Sequence, residues 1–281
     1  MTGTVTAQLH FLPSSLAGGP VAHVDLRANA DGFGNLHSAD VAVMNAHEHA
    51  DAGLHSSGFE LLRSPSAVSD FYDCDEVMGT YYDECRSIAR ELTGAHTTFT
   101  YDHLIREPGL QYSGGGTDGT QRKTGVERGG GYIGNVHMDY TDNTTWEKYL
   151  ALHGEGVPER ADRVYAINFW RPLSPSADDF PLAVCDARTV REEDLKETVV
   201  YGYAAENYSW YDIGIETFSV SASERQRWYY YPGMTPDDVL VIKSFDSEGV
   251  IGRACPHASF AHPNPQGIPR HSIELRVLCF C

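Results

Sequence analysis

The stretch Val136-His137-Met138-Asp139-Tyr140 decides how the rest of this chain is read. Apolar and polar residues alternate along it, which predicts a β-strand with His137 and Asp139 on one face, because side chains at i and i+2 of a strand point the same way. An imidazole and a carboxylate aimed together into an interior are two of the three ligands of a 2-His-1-carboxylate triad. That triad leaves open coordination positions and suits non-haem Fe(II) and its oxygen chemistry. A His-x-Asp pair is common by chance, usually as a hydrogen-bonded surface pair, so its weight depends on a second histidine and an anchor for a cosubstrate.

The second histidine is His257, in Ala254-Cys255-Pro256-His257-Ala258-Ser259. Its distance along the chain from His137 suits a double-stranded β-helix, in which an early strand gives two ligands and a late strand facing it gives the third. Just past it comes Arg270-His271-Ser272, with Arg276 further along the same predicted strand. Arg270 and Ser272 share a face and suit a dicarboxylate such as 2-oxoglutarate: a guanidinium fork and a hydroxyl grip one carboxylate while the other end reaches the metal. The charges of Fe(II), Asp139, 2-oxoglutarate and one buried arginine sum to zero, so no charge would be buried unpaired. Arg276 is the alternative anchor. His262, followed by Pro263, reads as a loop residue, and His271 alternates away from Arg270 and Ser272. His47-Glu48-His49 reads as an exposed turn.

Around these residues the chain is rich in short β-runs. Strands are predicted over 4–12, 21–27, 40–45, 96–105, 163–173, 182–186, 213–220, 227–231, 238–245 and 272–280, separated by Pro, Gly and Asp turns. Many short strands at close spacing argue for an antiparallel sandwich or barrel. One long helix is expected, since Val68, Phe71, Val77, Met78, Tyr81, Tyr82, Cys85, Ile88, Ala89 and Leu92 recur mainly at three- and four-residue intervals until Gly94. Its apolar stripe should back a sheet. A short helix is expected over 144–153 and a helical turn over 191–196. Residues 113–131, rich in Gly, Ser, Thr and charge, lack apolar periodicity and read as a mobile loop placed to cover a site.

Bulk properties narrow the function. The 281 residues carry 39 acidic against 21 basic side chains, a formal charge of −18, which repels nucleic acid and anionic lipid. No basic segment leads into a long apolar one at the start, and no run approaches a membrane span, so a cytoplasmic protein is expected. The six cysteines form no CxxC pair and are expected as free thiols.

A longer series of motifs carries a family resemblance. Tyr81-Tyr82-Asp83-Glu84, Asp102-His103-Leu104-Ile105-Arg106, Val136–Tyr140, Asn168-Phe169-Trp170-Arg171-Pro172-Leu173, Trp228-Tyr229-Tyr230-Tyr231-Pro232-Gly233-Met234, Cys255-Pro256-His257 and Pro269–Arg276 occur in that order. From about residue 55 to the C-terminus the chain resembles the AsaB-, NvfI- and CmcJ-like family of natural-product hydroxylases and desaturases. The resemblance implies a mainly β fold with flanking helices around a double-stranded β-helix (jelly-roll, cupin-like) core. It implies Fe(II), 2-oxoglutarate and O₂ as cofactor and cosubstrates, with His137, Asp139 and His257 matching the metal triad. One departure is that His271 stands where fungal members tend to carry Glu. The expected organisation is one oxygenase domain over 1–281: supporting strands and helix to 112, the loop 113–131, and the metal-binding core over 132–281.

The expected reaction is oxidation of a C–H bond of a small natural product, with a β-lactam such as a cephalosporin hydroxylated at C7 as the specific candidate. Desaturation or ring formation on another secondary metabolite is the alternative within the family. A non-catalytic cupin-like subunit is the alternative outside it. The resemblance also implies a possible methyltransferase-like protein partner. Trp170, Arg171, Tyr229 and Tyr230 are candidates to line the substrate pocket.

Overall fold

The computed structural model describes residues 3–25, 36–49, 51–107, 134–151, 155–201, 214–249, 254–265 and 267–281. The loop expected over 113–131 lies outside the described residues. Two sheets dominate. The larger has nine strands in the order β1 (Val5–Phe11), β3 (His37–Asn45), β11 (Trp228–Tyr230), β8 (Leu182–Cys185), β13 (His257–Ser259), β6 (His137–Met138), β10 (Ile215–Val220), β9 (Leu195–Tyr201) and β2 (Ala22–Asp25). The smaller has five: β4 (Phe59–Arg63), β12 (Asp238–Asp246), β7 (Val164–Pro172), β14 (Ser272–Phe280) and β5 (Thr97–Arg106). In both, the strands from before residue 112 lie at the two ends and flank the strands from after residue 132. The strand pairs are antiparallel except β11 with β3 and β2 with β9.

Alternation explains how the sheets pack. On β7 and β14 the odd-numbered Tyr165, Ile167, Phe169, Ile273, Leu275, Val277 and Cys279 form a core with Val77, Tyr81, Tyr82, Cys85 and Ala89 of the helical segment. The even-numbered positions face the larger sheet: Trp170 joins Val184 and Leu182 in one apolar cluster, while Ala166, Leu278 and Phe280 join Tyr140 and Tyr149 in another. Asn168, Glu274 and Arg276 fall between these two clusters on that inner face. The larger sheet also bends over itself. Bridges from His10 to Asn135 and from Leu12 to Ser221 bring the end of β1 beside β6 and β10, and Leu9, Phe11, Met138, Phe218, Trp228 and Ala258 pack within the bend.

The helical segment begins later than the apolar spacing suggests. Residues 64–73 are not helical; the Asp73 carboxylate caps the backbone N–H groups of Asp75 and Glu76 and starts α1 (Cys74–Glu76). A π-helical turn (Val77–Tyr81) then leads into α2 (Tyr82–Thr93). It stops where expected, at Gly94, whose φ of 72° places it in the left-handed region with its N–H on the Arg90 carbonyl. The helix expected over 144–153 is α3 (Trp146–Ala151), and the turn expected over 191–196 is a 3₁₀ turn (Glu192–Asp194) that runs directly into β9. Strands β4 and β9 are additions to the sequence reading. All six cysteines are free, and Cys85, Cys185, Cys255 and Cys279 are buried.

Candidate metal centre

The site begins with strand register. His257 of β13 lies opposite His137 of β6, and His137 opposite Ser219 of β10. Partners opposite each other in an antiparallel pair share a face, so both imidazoles project from the larger sheet toward the smaller one. Their ring centroids are 4.6 Å apart. Strand β6 is shorter than expected: it ends at Met138, and Asp139 lies in a bend just past it. That bend still returns the carboxylate to the imidazoles, with Asp139 Oδ1 3.4 Å from His137 Nε2 and 4.0 Å from His257 Nε2. One ligand atom from each of the three residues lies within 4.8 Å of the others, and among the described residues no other group of three such side chains does so.

The two histidines are held alike. His137 Nδ1 is 2.9 Å from the Asn135 carbonyl, and His257 Nδ1 is 3.1 Å from the Cys255 carbonyl. A carbonyl only accepts, so Nδ1 carries the proton in both rings and each Nε2 lone pair is left facing Asp139, which is the tautomer a metal needs. Burial, then the neighbouring His137, pushes the His257 pKa below its ordinary value, so that ring stays neutral. Burial raises the Asp139 pKa, but its neighbours His137, Arg276 and His257 more than reverse this and hold the group well below the usual carboxylate range. Two imidazoles offering Nε2 and one carboxylate are a donor set that fits Fe(II).

The smaller sheet supplies a second, charged layer. Asn168 Nδ2 donates to Asp139 Oδ2 and, at 2.9 Å, to Glu274 Oε1. Arg276 reaches Asp102 Oδ1 at 3.0 Å, Glu274 Oε1 at 3.4 Å and Asp139 Oδ2 at 3.7 Å, and Arg106 reaches Glu274 Oε2 at 3.3 Å. Burial raises the Glu274 pKa, but Arg276 and Arg106 more than reverse this, so Glu274 is ionised. Asn168, Glu274, Asp102 and Arg106 were not read from the sequence as site residues. A signal existed: β14 carries Ser272, Glu274 and Arg276 at alternate positions, with apolar residues between them.

The remaining candidates divide by face. Arg270 is wholly buried; its Nη1 donates to Ser259 Oγ at 2.9 Å and to the Phe180 carbonyl, and its guanidinium lies 5.5 Å from the centre of the Trp170 ring. Ser259 is two residues beyond His257 on β13, so Arg270 contacts the inner face about 7 Å along the strand from that histidine. The Ser272 hydroxyl is buried on the same face as Glu274 and has no hydrogen-bond partner among the described residues. Trp170 and Tyr229 share the inner face, Tyr229 through its pairing with Val184 opposite His257. Arg171 and Tyr230 do not. Arg171 points to the helix side, bonded to Tyr81 and to the carbonyls of Ser64 and Pro236, and Tyr230 packs within the bend of the larger sheet near Phe260. The reason is the strand's period of two, which sends neighbours in sequence to opposite faces. His271 faces outward to Tyr72 and Glu107, as its alternation predicts. His47 packs edge-on against Tyr231, and His49 stacks on Tyr229.

With this geometry, the comparisons with known proteins fall into place. The YDMC family model, described as an oxidoreductase/YMDC permease-like domain, matches residues 20–280. The chain is 32% identical over 255 residues to the hydroxylase/desaturase efuI of Hormonema carpetanum, covering 81% of this chain and 78% of that protein. It is 30% identical over 235 residues to the Fe(II)/2-oxoglutarate-dependent dioxygenase nvfI of Aspergillus novofumigatus, covering 81% and 77%. The chain belongs to this hydroxylase/desaturase family of Fe(II)/2-oxoglutarate-dependent dioxygenases. A solved structure of the iron- and α-ketoglutarate-dependent endoperoxidase NvfI superposes with a TM-score of 0.75 over 100% of this chain and 99% of that one, at 23% identity. The fold of this dioxygenase is accordingly the double-stranded β-helix, with the His-Asp-His group between its two sheets. No helix among the described residues is long and apolar enough to cross a membrane.

Proposed function

We propose that His137, Asp139 and His257 hold the Fe(II) of this dioxygenase, and that Arg270 and Ser272 bind the distal carboxylate of 2-oxoglutarate. The observation that carries the metal assignment is the convergence of two Nε2 lone pairs and one carboxylate oxygen within 4.8 Å, with both Nδ1 protons committed to backbone carbonyls. When bound, Fe(II) and 2-oxoglutarate with O₂ supply the oxidising equivalent that removes a hydrogen atom from a substrate C–H bond, with succinate and CO₂ as coproducts.

Arg270 is favoured over Arg276 as the anchor because the Arg276 fork is taken up by Asp102 and Glu274. The buried Ser272 hydroxyl, without a partner among the described residues, fits an incoming carboxylate on the same face. Charge supports the pairing. The inner layer holds three acids, Asp139, Glu274 and Asp102, and three arginines, Arg106, Arg270 and Arg276. Fe(II) and the 2-oxoglutarate dianion add no net charge to that balance, which a low-dielectric interior requires.

Trp170 and Tyr229, on the inner face, line the substrate side, and the chain acts as one oxygenase domain. The substrate is a small natural product, with hydroxylation the expected outcome and desaturation or ring formation the alternatives. The family resemblance to a protein of cephamycin 7α-hydroxylation makes C7 of a cephalosporin the first substrate to try, with a methyltransferase-like partner added, in a protein placed in the cytoplasm.

The test is an anaerobic titration of metal-free protein with Fe(II) and 2-oxoglutarate. A visible charge-transfer band should develop, and O₂ should then yield succinate. No band and no succinate would remove the oxygenase reading of this site.

A further inference from the structure

The two oxygens of Asp139 have different surroundings. Oδ1 faces the imidazoles of the larger sheet, 3.4 Å from His137 Nε2 and 4.0 Å from His257 Nε2. Oδ2 faces the smaller sheet, where Asn168 Nδ2 donates to it and Arg276 Nε lies 3.7 Å away. Asn168 is wholly buried in the middle of β7, opposite Arg276 of β14. A buried amide in a strand core is costly unless its donors are used. Here both are directed at carboxylates, Asp139 on one side and Glu274 on the other. Its Oδ1 has no partner among the described residues, and turning the amide over would aim that oxygen at the two carboxylates, so the network fixes which way it lies.

We propose that Asn168 is a positioning residue that pins Asp139 Oδ2 to the smaller sheet and leaves Oδ1 alone to coordinate the metal. Glu274, itself gripped by Arg106 and Arg276, holds the amide in place. A carboxylate free to rotate can give both oxygens to one metal ion and fill a position that cosubstrate or substrate needs. Asn168 prevents this by bonding the second oxygen, and it ties the bend after β6 to a strand of the opposite sheet. The inference rests on the metal-site reading above.

Co(II) serves as the probe, because its visible bands report coordination number without turnover. Wild-type protein should bind it; absence of binding would count against the metal site itself rather than against Asn168. Asn168→Leu, nearly the same shape without donors, should bind Co(II) about 10- to 100-fold more weakly. Its visible spectrum should change as Asp139 turns its second oxygen to the metal, while near-ultraviolet circular dichroism stays as in wild type. Asn168→Gln, which keeps the amide on a longer arm, should recover part of the affinity. Wild-type affinity and spectrum in Asn168→Leu would overturn the proposal. Wild-type protein gives a second measure should the variant not fold. Difference infrared on Co(II) binding should show the widely split carboxylate stretches of one-oxygen coordination, and a narrow splitting would overturn it equally.

Discussion

Strand β14 has two buried faces that solve opposite problems. Toward the helix it presents Ile273, Leu275, Val277 and Cys279, each at most 1% exposed, to an apolar core. Toward the metal centre it presents Ser272, Glu274 and Arg276, each at most 8% exposed, in a layer of charges. The first face stabilises the fold by removing apolar surface from water. The second is tolerated because each charge meets an opposite one, and its worth lies in what it holds in place. Damage to the two faces should therefore be distinguishable: one loses stability and keeps the site, the other keeps the fold and loses function.

The largest effect is expected where the charged layer meets the candidate metal ligands. His257→Ala should abolish iron binding and succinate formation while circular dichroism stays near wild type; full activity in that variant would show the triad to be misassigned. On the apolar face, Leu275→Ala should cost about 2–5 kcal/mol in denaturant unfolding, with 2-oxoglutarate affinity of the folded fraction unchanged. A matching loss of cosubstrate affinity would break the separation of the two faces. Arg270→Met should do the reverse, weakening 2-oxoglutarate binding by roughly 10- to 100-fold, as expected from about 1.5–3 kcal/mol for a hydrogen bond to a charged group. Isothermal titration in the presence of Mn(II) would measure it, and an unchanged Kd would move the anchor to Arg276.

A smaller effect is expected from acid. The folded-state pKa of His257 lies below its ordinary value of 6.5, so the unfolded chain takes up that proton first. The stability contributed by this neutral imidazole in metal-free protein is present above 6.5 and declines as pH falls below it. Urea unfolding of wild type and His257→Gln between pH 7.5 and 5 checks the sign: the wild type should lose more stability on acidification.

Much of this was legible in sequence because strand alternation is local. The runs that became β7, β12 and β14 were read nearly to their ends, and Gly94 marked the helix stop through its left-handed conformation. The same alternation, applied within those runs, separates Trp170 from Arg171 and Tyr229 from Tyr230, although all four entered as pocket candidates. What failed was of a different kind. Asp139 reaches its place through a bend beyond a two-residue strand, not through strand geometry. Asp102, Arg106, Asn168 and Glu274 gain their roles from the register of β5, β14 and β7, and register is a relation between strands that no single strand encodes.

The candidate ligand types, their order, the mainly β architecture and an arginine and serine suited to a dicarboxylate could be read from the chain alone, because residue chemistry and a period of two are local properties. The tertiary structure decided which carboxylate oxygen faces the imidazoles, which arginine is already paired, and that an asparagine from the opposite sheet holds the aspartate. Those facts depend on distances between strands brought together by two sheets packing face to face, and such distances exist only once the core has formed.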